Sequence, residues 1–227
     1  MREKNPLLKM RIAAPLTRVK GWLRGRFGRT SPEDVTDFAK VLACMVVGID
    51  PSTGEPSRSL STSLLESLKE DEDWPYDLGE AEANETEGLS LNLWSVSYAF
   101  CSKTSVLTPW ARNVFISKVE TLVFRDLIDG GVAPPAEATN LSLLYQSRFV
   151  EYSEAFQSDQ SARNETPPRN SFDFFRAVTR NLFGRQSNNL VVMAKVMAAT
   201  WADQLSLLQF FTVSGLHMKI ARGLTRP

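Results

Sequence analysis

Histidine and cysteine are almost missing from this chain. Its 227 residues hold one histidine, His217, and two cysteines, Cys44 and Cys101. Their spacings fit no zinc pattern, so a Cys/His metal site is excluded. A Ser-His-Asp or Cys-His arrangement would have to recruit His217 from the C-terminal tail, which disfavours nucleophilic catalysis of that kind. The HExxH motif and the Glu-x-x-His pairs of di-iron bundles are absent. So are the phosphate-cradling GxxxxGK[ST] and GxGxxG motifs; GWLRGRFG contains glycines but follows no strand signal. No catalytic, cofactor-binding or metal-binding residues can be assigned, and no cofactor is expected.

Long hydrophobic runs are lacking too. A bilayer-spanning helix needs about 20 apolar residues. The best stretch, LVVMAKVMAATWADQLSLLQFF, carries Lys195 and Asp203 inside it. The N-terminus shows no apolar core followed by a small-residue cleavage site. A cytoplasmic protein is therefore expected, and the N-x-[ST] sequons at Asn84, Asn140 and Asn164 read as chance matches. Cys44, within VLACMVVG, reads as a small core residue.

Net charge is the last absence: 26 Lys and Arg balance 26 Asp and Glu. The balance conceals a strong polarity. Residues 1–30 carry nine Lys/Arg against one Glu, and residues 66–88 carry ten Asp/Glu against one Lys.

What is present reads as an all-α protein. It is expected to be a multi-helix bundle around a long buried C-terminal helix, with a basic amphipathic N-terminal helix and an acidic linker. Five segments follow: a basic arm over 1–29, a small helical segment over 30–69, an acidic flexible linker over 70–88, the main bundle over 89–215 and a basic tail over 216–227. In the arm, Leu8, Ile12, Leu16, Val19 and Leu23 lie near one face, flanked by Trp22 and Phe27. Lys9, Arg11, Arg18, Lys20 and Arg24 lie on the other side. Such a helix suits an anionic membrane surface, where each basic residue contributes about 1 kcal/mol. It can equally fold back on the acidic segment.

Helix signals continue along the chain. SPED opens a helix over 31–47, which Gly48 can end. A short helix over about 60–70 follows. The run 70–88 has no apolar period and a dense like charge, with Trp74 and Tyr76 as its odd members. LSLNLWSVSYAFCSK (89–103) carries both a helical set and a strand-like alternation; helix is preferred because no strand partner is visible. Further helices are expected over 108–129, 139–157, 171–184 and 188–214.

One position breaks the pattern. In the helix over 139–157, Leu141, Leu144, Tyr145, Phe149, Tyr152 and Phe156 share a face, and Arg148 falls in its middle. Asp126 and Asp203 interrupt apolar faces of their own helices. Buried charges are normally paired, and the arginine fork matches a carboxylate. The expected partner of Arg148 is therefore Asp126 or Asp203, in a polar cluster that also includes Tyr145 and Tyr152. Three readings of the cluster stand: an ion pair that fixes helix register, an arginine reaching past the stripe to water, or a pocket for an anionic ligand.

Three functions follow. The first is a non-catalytic helical binding or regulatory protein acting through protein–protein contacts. The second is a peripheral protein attached through residues 1–29 to an anionic membrane surface; nucleic acid fits less well, because the rest of the chain offers no basic stripe. The third is an enzyme of unrecognised type with a polar pocket around Arg148.

Overall fold

The structure is a computed structural model that describes residues 32–50, 53, 55, 84–103, 109–129, 135–167, 171–187, 189 and 191–195. The basic arm with Lys9, Arg11, Arg18, Lys20, Trp22, Arg24 and Phe27 lies outside these residues. So do the short helix over 60–70, the linker over 70–83, Asp203, the tail, and all of the C-terminal helix beyond Lys195.

The described residues form an all-α protein without strands. Five helices follow in order: α1 Pro32–Val46, α2 Glu85–Lys103, α3 Pro109–Asp129, α4 Pro135–Arg163 and α5 Asp173–Phe183. Residues 191–195 are helical as well. There Asn189 accepts from Val191 N–H at 2.9 Å, so the turn starts slightly later than position 188.

Helix ends follow local chemistry. α1 closes in a Schellman motif, with Ile49 N–H on Cys44 O at 2.8 Å and Gly48 N–H on Met45 O at 3.3 Å. Gly48 takes φ 72° there, in the left-handed region that glycine enters without cost. Asp50 and Thr53 then accept backbone N–H groups of the following turn. α2 begins four residues earlier than the apolar pattern suggests. Asn84 Oδ1 accepts from Thr86 N–H at 3.0 Å and Glu87 N–H at 3.2 Å, an N-cap drawn from what reads as linker. The expectation of an exposed linker up to residue 88 is thus corrected: Glu87 and Gly88 are buried in the first turn of α2.

The ambiguous segment 89–103 is helix. From Glu87 to Phe100 every residue except half-buried Tyr98 is buried. A helix enclosed on all sides needs no single apolar stripe, and this is why its sequence lacks a clean helical period. Small polar residues, Ser90, Ser95 and Ser97, are among its buried positions.

The described residues group into two compact units: those up to residue 55 with those of 96–142, and those of 84–95 with those of 143–195. In the first, α1 packs against α3. Phe38, Leu42 and Val46 of α1 and Phe115, Val119 and Val123 of α3 are fully or almost fully buried. Phe100 stacks on Phe115 with ring centroids 4.5 Å apart. In the second unit, Trp94 contacts Phe174 at 4.7 Å, Phe156 at 5.7 Å and Tyr152 at 5.8 Å between centroids. Trp94 has no exposed surface, and its indole N–H donates to Ser153 Oγ at 3.0 Å.

α4 is longer than expected at both ends. Pro135 suits a first helical position. At the far end Asp159 and Ala162 turn inward while Gln157, Ser158, Gln160 and Ser161 stay exposed. Asp159 explains the extension. Its carboxylate accepts the N–H groups of Asp173 (2.8 Å) and Phe174 (3.2 Å), so α4 caps α5. The helix expected from 171 starts slightly later: its N-cap position is Phe172, without a side-chain cap bond. α5 ends as expected at Gly184, with φ 66°.

Candidate functional site

Arg148 sits on α4 between Tyr145 and Tyr152, as the spacing predicts. Its guanidinium leaves that stripe and reaches the first turn of α2. Nε donates to Glu87 Oε2 at 2.8 Å and one terminal nitrogen to Glu87 Oε1 at 2.7 Å, a two-pronged contact. The other terminal nitrogen donates to Glu151 Oε2 at 2.8 Å.

The partner is therefore Glu87, supplemented by Glu151, where Asp126 or Asp203 was expected. Asp126 lies on α3 with its side chain outside the described residues, and Asp203 lies outside them altogether. The physical reason for the difference is the cap. Asn84 starts α2 early, and the second turn-forming acid of that run, Glu87, is carried into the interior with a charge that needs a partner.

Glu151 is the second node. Its carboxylate also accepts from Arg180 and, at 3.0 Å, from Asn181 Nδ2, both on α5. Asn181 Nδ2 lies 3.3 Å from Tyr152 Oη as well. Close by, Asn84 N–H donates to Leu182 O at 2.8 Å. Two carboxylates and two guanidinium groups thus join α2, α4 and α5, and their charges balance. Side-chain exposure rises outward, from 8% for Glu87 through 22% for Arg148 and 23% for Glu151 to 53% for Arg180.

The electrostatics follow from this arrangement. The hydrogen bonds from Arg148 to Glu87 raise the guanidinium pKa, against the opposing pull of burial. Burial pushes Glu151 up, but the donors Asn181, Arg180 and Arg148 outweigh it and hold the carboxyl below its ordinary range. Burial drives the Tyr152 phenol well above its ordinary value. Tyr145 is buried and packs edge-on against Phe149, 6.0 Å between centroids. Of the five residues assigned to the cluster, Arg148 and Tyr152 are brought together, by way of Glu151 and Asn181.

Glu87, Glu151, Arg180 and Asn181 were not foreseen. Two signals bear on the acids; none bears on Arg180 or Asn181. Asn84 and Glu87 have the spacing of a capping box, and Arg148 and Glu151 have the i, i+3 spacing of a helical ion pair. Chemically, all three nitrogens of Arg148 already donate to carboxylates, so the cluster acts as a brace between helices.

Other groups are placed apart from this network. Glu120, hydrogen-bonded by Ser142, is shifted up by burial, and burial likewise raises the Cys101 thiol against the nearby Arg112 charge. Among the described residues no group of His, Cys, Asp and Glu is placed to hold a metal ion, and no helix is long and apolar enough to cross a membrane.

No protein-family model matches the chain, and no curated protein or solved structure is detectably similar to it.

Proposed function

We propose that this chain is a non-catalytic helical binding or regulatory protein that works through contacts with another protein in the cytoplasm. The observation behind this reading is Trp110. It lies at the start of α3 with 67% of its surface exposed, and Val114, one turn on, is 38% exposed. Tryptophan is among the residue types enriched at the centres of protein interfaces. The Arg148 cluster supports the same reading, since its charges are taken up by one another and brace the helices.

The test is co-purification from cells with the full chain, comparing wild type with Trp110→Ala and Arg148→Met. A stoichiometric protein partner that is lost with Trp110→Ala, while unfolding is unchanged, supports the reading. Binding indifferent to Trp110→Ala removes this surface from it. A turnover activity abolished by Arg148→Met in a folded protein would favour an enzyme instead.

A second reading rests on the nine Lys/Arg against one Glu in residues 1–30. It attaches the protein peripherally to an anionic membrane surface through Lys9, Arg11, Arg18, Lys20 and Arg24, with Trp22 and Phe27 entering the interface. Co-sedimentation with phosphatidylserine vesicles tests it. Binding at low salt that is lost when the five cations are replaced by Glu supports attachment; equal binding of both forms overturns it.

A further inference from the structure

We draw no further inference here: the strongest candidate, the outward face of α4 on which Leu143 and Val150 are exposed, is an unpartnered helix face, and nothing in the structure shows what covers it.

Discussion

Arg148 and Glu87, 61 positions apart in the chain, meet through two parallel hydrogen bonds of 2.8 and 2.7 Å. The pair ties the middle of α4 to the first turn of α2. Glu87 is the buried member, 8% exposed, and Arg148 keeps contact with water at 22%. The energetics are therefore unequal: loss of the arginine strands a buried carboxylate.

Arg148→Met keeps most of the apolar stem of the side chain and removes its charge. Breaking one partner of a buried pair costs roughly 3–5 kcal/mol, and partial exposure places this case at the lower end or slightly below, about 2–3 kcal/mol. Urea unfolding followed by circular dichroism measures it. A loss under about 0.5 kcal/mol, the range of exposed pairs, would show that water replaces the arginine at Glu87. Arg148→Lys should fall between, because a point charge cannot make the two-pronged contact.

Removing both partners should cost less than removing Arg148 alone. Glu87→Leu combined with Arg148→Met leaves no stranded charge between these two positions, and apolar replacements of buried ion pairs are often neutral. The double variant is expected within about 1 kcal/mol of wild type, the remainder reflecting the lost acid near a helix N-terminus. A double-mutant cycle in urea gives the coupling. Simple additivity would mean that the pair does not interact in solution.

Which parts of this were legible follows from how local each signal is. α1, α3 and the end of α5 were readable because Pro32, Pro109, Gly48 and Gly184 mark their ends within a few residues. The pattern for α2 was half legible: its apolar residues were visible, but a helix buried all round carries no 3.6-residue stripe to separate it from a strand. Its start was hidden because Asn84 and Glu87 close an acidic run that resembles solvent-exposed linker. The position of Arg148 was predictable from periodicity within α4. Its partner was not, since Glu87 is reached only through tertiary packing. The cap of α5 was invisible for the same reason: Asp159 comes from another helix, while Ser171, the local candidate, donates to Asp173.

Asp159→Ala should expose how much α5 depends on that borrowed cap. The carboxylate receives two N–H groups at the helix start, where Phe174 N–H is buried. Loss of a cap costs about 1–2 kcal/mol. The local signature is faster hydrogen exchange at Asp173 and Phe174, with the α5 end near Gly184 less affected. Unchanged exchange at these two amides would show that Ser171 or solvent takes over the role.

Glu151 links stability to pH, and the sign follows from the direction of its shift. Its carboxyl is held below the ordinary value because Asn181, Arg180 and Arg148 outweigh burial. A depressed folded-state pKa means that the unfolded chain binds the proton more readily, so acid favours unfolding. The contribution is fully present above the unfolded value of about 4.3 and disappears as pH falls through the folded one. Glu151→Gln should therefore be less stable than wild type at neutral pH, and the gap should close on acidification below about pH 4. Urea midpoints for both proteins along a pH series test this. A gap that stays constant with pH would mean the loss comes from packing or from the neutral hydrogen bonds to Asn181. A gap that widens in acid would require a raised carboxyl pKa, the opposite of what three donors around one carboxylate produce.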